Sequence, residues 1–206
     1  MKDIAIFASG NGTNCANIIR HFKGSGNIRV AMVITNNPKA KVIERTKEYG
    51  INTIILTKDK INDSTTLLPI LTRNSIDLIV LAGFMLFIPD FLTEAYPHRI
   101  INIHPSLLPK YGGKGMYGMH VHEAVKNNNE KESGITIHYV SNEYDRGEII
   151  EQHSTPIFPE DTAEKIAEKM KDEYVSVEHL MLALFNKGNQ KVKELFKLFN
   201  INKNEF

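Results

Sequence analysis

The sequence predicts an α/β protein with a mainly parallel sheet flanked by helices, an antiparallel β extension in the C-terminal half and a long C-terminal helix. Short apolar runs alternate with helical patterns over the first hundred residues, which is typical of βαβ units. The run 78–82 is apolar throughout, as in a strand covered on both faces. Beyond residue 162, apolar residues recur at steps of three and four, which indicates one buried helix face.

The elements of the N-terminal half follow from the apolar runs and the turns between them. Strands are predicted at residues 4–8, 30–34, 53–56, 78–82 and 100–103. Helices are predicted at residues 15–22 and 39–49, and from a cap at Asp63 or Ser64 to about residue 73. Gly50 is expected in the C′ position that ends the second helix.

The C-terminal half changes character at a loop, residues 105–119, that contains two prolines and four glycines. Loops of this length in compact domains are usually functional. A short helix at 120–126 follows, and then a β pair at 134–140 and 148–157. Thr162 can cap the last helix, whose apolar stripe comprises Ile166, Met170, Tyr174, Val177, Met181 and Leu184. We expect residues 1–206 to form a single domain, with 187–206 as a tail that is a candidate for mobility.

Composition limits the classes of partner. The chain has 25 Lys and Arg against 24 Asp and Glu, a net charge of +1, so a broad nucleic-acid or membrane surface is not expected, although a local basic pocket for one phosphate is. Cys15 is the only cysteine, which excludes an intrachain disulfide and a cysteine-rich metal site and favours the cytoplasm. No apolar run approaches the roughly 18 residues of a membrane helix, and the N-terminal run is too short for a signal peptide.

Three segments follow carboxyl ends of predicted parallel strands, where ligands bind in open α/β sheets: residues 9–14, 83–89 and 102–119. In the first, closely spaced amides precede a helix, which suits a phosphate. The segment lacks the third glycine of a dinucleotide fingerprint and the ending of a P-loop. A tight turn with Thr13 or Asn14 as helix cap is the alternative interpretation.

Asn102 and His104 are two residues apart at the end of a predicted strand, so their side chains share one face. An amide donor beside an imidazole can stabilise an oxyanion, although such a pair is also often structural. Asp145 is either a turn former or a carboxylate near His104 that favours the imidazolium and orders a proton-transfer water. His120 and His122 do not match a metal-binding pattern, so no metal is predicted; His120 either lines a pocket or starts a helix.

Four motifs occur together in order: SGNGTN at 9–14, LAGFM at 81–85, NIHPSLLP at 102–109, and the loop that contains Asp145. In order and spacing they resemble the phosphoribosylglycinamide formyltransferases of purine synthesis, from residue 3 to about residue 185. The NIHPSLLP run is highly specific to folate-dependent formyl transfer, and the implied fold is Rossmann-like. The glycine-rich run at 111–120 is similar to a longer form of this loop in some bacterial members.

The resemblance implies a mechanism and a set of site residues. The amine of glycinamide ribonucleotide would attack the formyl carbon of 10-formyltetrahydrofolate, without a metal or a covalent intermediate. Asn102 and protonated His104 would stabilise the oxyanion, and Asp145 would favour the charged imidazole and help to move a proton. The ribonucleotide phosphate would be held by the amides of Gly12, Thr13 and Asn14. The pterin would be bordered by Met85, Leu86, Phe87, Ile88 and Val140.

Three positions depart from the family pattern. Leu86 stands where an Arg is common, and no basic residue stands near Thr65, where relatives carry a phosphate-binding Arg; Lys58, Lys60 or another cation would have to compensate. Tyr174 aligns with a Glu that meets the ribose or glycinamide, so we assign that contact to Glu173, one residue away.

Three alternatives share part of this pattern. A formyltetrahydrofolate hydrolase has the same catalytic trio but normally carries an N-terminal regulatory domain, and a methionyl-tRNA formyltransferase needs a C-terminal domain and a basic surface. A non-catalytic mononucleotide-binding module would use the 9–14 segment alone. The expected partners are small molecules, with no nucleic acid or membrane, and the chain is expected to be a monomer or homodimer.

Overall fold

The computed structural model describes residues 1–172. Apolar runs form the strands, which are β1 (Lys2–Phe7), β2 (Ile28–Thr35), β3 (Asn52–Ile55), β4 (Ile76–Leu81), β5 (Ile100–His104), β6 (Glu132–Tyr139) and β7 (Ile149–Pro156). The helices are α1 (Thr13–Phe22), α2 (Val42–Glu48), α3 (Lys58–Ile61), α4 (Ser64–Arg73), α5 (Asp90–Ala95), α6 (Met119–Asn127) and α7 (Ala163–Asp172).

All seven strands of the described chain form a single sheet in the order β3-β2-β1-β4-β5-β6-β7. The first five in this order are parallel, and β6 and β7 continue the sheet as antiparallel strands. The predicted mainly parallel sheet with flanking helices and an antiparallel extension is therefore confirmed. Chain order reverses at β1, which pairs with both β2 and β4, and ligands of open α/β sheets bind at such switch points.

Helices cover both faces of the sheet because alternate strand side chains point to opposite sides. On one face, Ile4 and Ile6 pack with Ile18 and Phe22 of α1. On the other face, Ala5 and Phe7 pack in a second cluster. That cluster includes residues of α3, α4 and α5, namely Ile61, Leu67, Leu71 and Leu92.

Most predicted boundaries shift by one to three residues, and two helices are unpredicted. Helices α3 and α5 have four and six residues, too few to display a helical period. Two predicted end signals are confirmed: Asp63 caps α4 by accepting from the Thr65 amide at 3.0 Å, and Gly50 follows α2 with a φ of 68°.

The last helix is described to Asp172, so Tyr174, the rest of its stripe and residues 187–206 lie outside the described residues. A single domain over 1–206 stays a prediction.

Candidate active site

The three segments predicted to follow strand ends line one cavity of about 410 Å³. It lies at the carboxyl ends of β1, β4 and β5, which the strand register places side by side: Phe7 pairs with Leu81, and Leu81 pairs with Asn102. Every proposed site residue up to residue 145 lines it, which are Gly12, Thr13, Asn14, Met85, Leu86, Phe87, Ile88, Asn102, His104, Val140 and Asp145. Glu173 lies outside the described residues.

The first wall of the cavity is the turn between β1 and α1. Gly12, not Thr13 or Asn14, occupies the N-cap of α1, with a φ of 73° and no side-chain cap. The alternative capping interpretation is therefore wrong. The first-turn amides of a helix have no partner within the helix, so they remain available to an anion, while the Gly12 carbonyl accepts from Ala16 at 2.9 Å.

Helix α2 supports this turn and brings a cation to it. The Val42 amide donates to the Gly10 carbonyl at 3.2 Å, and a Cβ on Gly12 would lie 2.5 Å from Val42 Cγ2. Arg45 donates from Nε to the Asn11 carbonyl at 2.8 Å and from Nη2 to Asn11 Oδ1 at 3.3 Å. Because only the packing of α2 beside the turn creates this contact, Arg45 carried no signal in the sequence.

Asn102, His104 and Asp145 lie together in the lining of the cavity. Asn102 Nδ2 lies 3.3 Å from Asp145 Oδ1, and His104 Nδ1 lies 3.6 Å from the same oxygen. The predicted proximity of Asp145 and His104 is confirmed. A carboxylate oxygen only accepts hydrogen bonds, so this contact also fixes the orientation of the Asn102 amide.

His138 is a fourth polar member of the cluster, and no sequence motif indicated it. The antiparallel register pairs it directly with Asn102. Its Nδ1 lies 2.8 Å from the Tyr139 carbonyl, so Nδ1 carries a hydrogen, and its Nε2 lies 3.1 Å from Asn102 Nδ2 and 3.6 Å from Asp145 Oδ1. The available sequence signal for this site residue was a histidine within the buried strand β6, on the same strand face as Thr136.

The loop after β5 folds back over the cluster. The Tyr111 carbonyl lies 2.8 Å from His104 Nε2, and the Gly113 amide donates to Asp145 Oδ2 at 2.9 Å. Gly112 lies between them, where a Cβ would be 2.5 Å from Leu108 Cδ2 and 3.1 Å from Asp145 Cβ. The loop thus supplies an acceptor to the imidazole and a donor to the carboxylate.

Thr136 of β6 anchors the base of that loop. Its buried hydroxyl accepts from the Leu108 amide at 3.0 Å and from Gln152 Nε2 at 2.8 Å, and it donates to the Ser106 carbonyl at 2.7 Å. The hydroxyl therefore satisfies main-chain groups that would otherwise be buried without partners.

Replacing Thr136 with Val is expected to lower the free energy of unfolding by about 1–3 kcal/mol, because the buried Leu108 amide would lose its partner. Urea denaturation measures this loss. Ser133→Ala is the matched control, since the Ser133 hydroxyl is also buried on β6 but has no hydrogen-bond partner within residues 1–172. Equal stability of wild type and Thr136→Val would contradict the anchoring role.

Burial sets the charge of His104, whose side chain is 3% exposed. Burial lowers the pKa of His104 below the ordinary histidine value, the Asp145 charge and the Tyr111 hydrogen bond oppose this, and His138 adds to the lowering. Asp145 thus favours the imidazolium, as expected, but burial outweighs it and the free protein holds a neutral ring at neutral pH. Burial raises the pKa of Asp145, but the hydrogen bond with His138, the positive charge that His104 acquires at acidic pH and the Gly113 amide together lower this pKa below its ordinary range.

The second wall of the cavity is apolar. Met85 is 55% exposed, the Phe87 and Tyr144 rings lie 4.7 Å apart, and Leu86 packs against the core in place of a basic side chain. The Met85 amide donates to Ser9 Oγ at 2.8 Å, which ties this wall to the turn after β1.

The two histidines of α6 differ in their relation to the cavity. His122, not His120, lines the cavity, and His120 is an exposed residue at the start of α6 beside Glu123. No group of three or more His, Cys, Asp or Glu side chains in residues 1–172 is arranged to hold a metal. Within the same residues, no helix is both long and apolar enough to span a bilayer.

Comparison with known proteins places the chain in a family. Residues 2–182 match the formyl transferase family. The chloroplastic phosphoribosylglycinamide formyltransferase of Arabidopsis thaliana is 38% identical over 175 residues, which cover 82% of this chain and 60% of the relative. The phosphoribosylglycinamide formyltransferase of Bacillus subtilis is 37% identical over 199 residues, which cover 92% of this chain and 100% of the relative. The chain thus spans less than two thirds of the plant protein but the full length of the bacterial one.

Solved structures of phosphoribosylglycinamide formyltransferases also resemble this fold. The crystal structure of phosphoribosylglycinamide formyltransferase from Bacillus halodurans superposes with a TM-score of 0.74 at 38% identity, over 88% of this chain and 95% of the other. Sequence, fold and the arrangement of motifs around one cavity lead to the same assignment. The chain belongs to the formyl transferase family, among the phosphoribosylglycinamide formyltransferases.

Proposed function

We propose that this protein transfers the formyl group of 10-formyltetrahydrofolate to the amine of glycinamide ribonucleotide in purine biosynthesis. The observation that carries the proposal is the meeting of Asn102, His104 and Asp145 between an anion-binding turn and an apolar wall. The names of the relatives support the same reaction.

The cavity walls suit the two substrates. The apolar wall from Met85 to Ile88, with Val140, offers surface for a flat aromatic ring, and the Phe87 and Tyr144 rings extend it. The turn at Gly12–Asn14 offers helix amides for a phosphate. We assign the folate to the apolar wall and the phosphate of the ribonucleotide to the turn at Gly12–Asn14, with the reacting groups between them.

Asn102 and His104 would act on the formyl oxygen. As the amine nitrogen bonds to the formyl carbon, the carbonyl electron pair moves to oxygen, and donors aimed at that oxygen stabilise the charge. Asp145, which is ionised, would accept the proton that the amine releases through a water. The proton then passes to the folate nitrogen as its bond to the formyl carbon breaks, so the formyl group and one proton exchange partners.

A change in the charge of His104 would make this stabilisation stronger in the transition state than in the ground state. In the free protein, Nε2 donates to the Tyr111 carbonyl and the neutral ring presents Nδ1 to Asp145. A developing oxyanion beside the ring adds a second negative charge, which favours the imidazolium. The proton that Asp145 accepts from the amine would move on to His104 Nδ1, 3.6 Å away, as the oxyanion forms, and it would leave for the folate nitrogen when that nitrogen's bond to the formyl carbon breaks. His104 would thus be charged while the oxyanion exists, so its attraction is greater in the transition state than in the ground state.

We also propose that Arg45 supplies the cation that Thr65 does not. Thr65 is occupied in the cap of α4, where its hydroxyl donates to Asp63 at 2.7 Å. Arg45 instead holds Asn11 in the turn that would bind the phosphate. Lys58 and Lys60 belong to α3, and none of their hydrogen bonds within residues 1–172 reaches this turn.

Replacing Arg45 with Met is expected to raise KM for the ribonucleotide by about tenfold, which corresponds to a loss of about 1.4 kcal/mol, and to leave KM for the folate unchanged. Steady-state kinetics with each substrate varied in turn measure both constants. Lys47→Met removes an exposed charge from the same helix and serves as control. An unchanged KM in Arg45→Met, or an equal rise in Lys47→Met, would remove Arg45 from the site.

The fate of the formyl donor distinguishes the proposed transferase from a hydrolase and from a non-catalytic binding module. Purified protein is mixed with 10-formyltetrahydrofolate, with and without glycinamide ribonucleotide, and loss of the donor is followed. The proposal expects loss that depends on the ribonucleotide. Equal loss without it would indicate the hydrolase, and no loss in either mixture would favour the module.

Composition supports the remaining assignments. Buried Cys15, whose pKa burial raises to about 12, needs no oxidising environment, so we infer a cytoplasmic protein. We also propose that it acts on small molecules as a monomer or homodimer.

A further inference from the structure

Tyr111 lies at an unusual position in the loop after β5. It has a φ of 55°, in the left-handed region that non-glycine residues adopt at a cost of the order of 1 kcal/mol. This conformation accompanies a carbonyl that faces His104 Nε2 at 2.8 Å. A backbone held against its preference needs compensating contacts from the rest of the residue.

The Tyr111 side chain supplies such contacts. Its hydroxyl donates to Glu130 Oε1 at 2.8 Å and accepts from Asn128 Nδ2 at 3.0 Å, both in the turn that follows α6. Its ring packs against a small buried cluster that consists of Val125, Ile157 and Ile166. The loop is thus fastened to α6 and α7 through one phenol ring.

The carbonyl determines which nitrogen of His104 carries hydrogen. A carbonyl only accepts, so Nε2 must donate, and a neutral ring then keeps Nδ1 without hydrogen. Nδ1 is the nitrogen that faces Asp145 at 3.6 Å. The opposite tautomer would place two acceptors 2.8 Å apart.

We infer that Tyr111 is a positioning residue, whose phenol anchors its own carbonyl against His104 Nε2 and thereby directs Nδ1 toward Asp145 and the substrates. The catalytic consequence rests on the proposed function. The tautomer itself does not, because it is a property of the free protein.

The test measures both properties in Tyr111→Phe, which keeps the ring in its apolar cluster and removes only the hydroxyl. Nitrogen-detected NMR of the free protein, at a pH well above the His104 pKa, reports which ring nitrogen carries hydrogen, with the signal assigned from a His104→Asn variant. Wild type is expected to show hydrogen on Nε2, and Tyr111→Phe a mixture of the two tautomers. We expect kcat in Tyr111→Phe to fall by about tenfold, with KM for both substrates within about twofold of wild type.

Two further variants separate anchoring from other effects. Glu130→Ala removes the acceptor of the phenol without altering Tyr111, and it should give the same change of tautomer, including if Tyr111→Phe fails to fold. Lys110→Met removes the exposed cation that pairs with the same Glu130 oxygen at 3.0 Å, and it should leave tautomer and kcat unchanged.

A wild-type tautomer in folded Tyr111→Phe and Glu130→Ala would overturn the inference, as would an equal change in Lys110→Met. If wild-type protein transfers no formyl group but the tautomer changes as expected, the proposed function fails and the positioning role stands.

Discussion

Asp145→Asn is expected to lower kcat by about 10²–10⁴-fold and to leave the dissociation constants of both substrates nearly unchanged. The new amide has the same shape and can still accept from the Gly113 amide, which now donates to Oδ2 at 2.9 Å. It cannot take up the amine proton, and it removes the negative charge that favours the His104 imidazolium. Single-turnover kinetics, together with calorimetric titration of each substrate, separate the chemical step from binding.

The Asp145→Asn substitution should also lower the pKa of His104. Burial already lowers the pKa of His104, and the Asp145 charge raises it in opposition. Removing that charge should lower the pKa further, so an NMR titration of His104 should move to lower pH in Asp145→Asn. Asp59→Asn, on the exposed helix α3, is the control. A His104 pKa that stays constant or rises would contradict the electrostatic coupling, and wild-type kcat would remove Asp145 from the reaction.

Gly147→Ala is expected to have the largest effect on folding, a loss of more than about 3 kcal/mol in the free energy of unfolding. A Cβ at this position would lie 1.6 Å from the Tyr139 carbonyl oxygen and 2.7 Å from its carbon. Both are backbone atoms at the end of β6, so they cannot move aside as a flexible side chain does. The connection between β6 and β7 would have to open, and Asp145 lies two residues away.

Urea denaturation compares this variant with Gly26→Ala, where a Cβ would meet no atom within 4 Å. That control should stay within about 0.5 kcal/mol of wild type. Gly147→Ala with wild-type stability would show that the connection between β6 and β7 can rearrange to admit a Cβ, and it would contradict this prediction.

Much of the fold was predictable because hydrophobic patterning reports it directly. The runs at β1, β4 and β5 are buried on both faces, so each is nearly continuous in apolar residues. Helices α3 and α5 were not predicted because one or two turns do not establish a period. Capping chemistry identified the start of α4 at Asp63 and the end of α2 at Gly50, but not the start of α1, where Gly12 caps the helix without a side chain.

The candidate site was predictable where local geometry or a motif decides it. Strand alternation places Asn102 and His104 on one face, and the family pattern selects Asp145. His138 and Arg45 depend on tertiary partners instead: the first on the register between β5 and β6, the second on the packing of α2 beside the turn at Asn11. The neutral state of His104 was missed for the same reason, since a sequence reveals a nearby carboxylate but not the depth of burial.

The proposed formyl transfer is tested most directly by following the formyl group itself. Protein is mixed with 10-formyltetrahydrofolate that carries an isotopic label in its formyl group, with glycinamide ribonucleotide present or absent, and the labelled product is identified by mass spectrometry. The proposed transferase is expected to place the label on the amine of the ribonucleotide, in a reaction that wild type catalyses and that Asp145→Asn nearly loses. Label released as formate at the same rate with or without the ribonucleotide would contradict it.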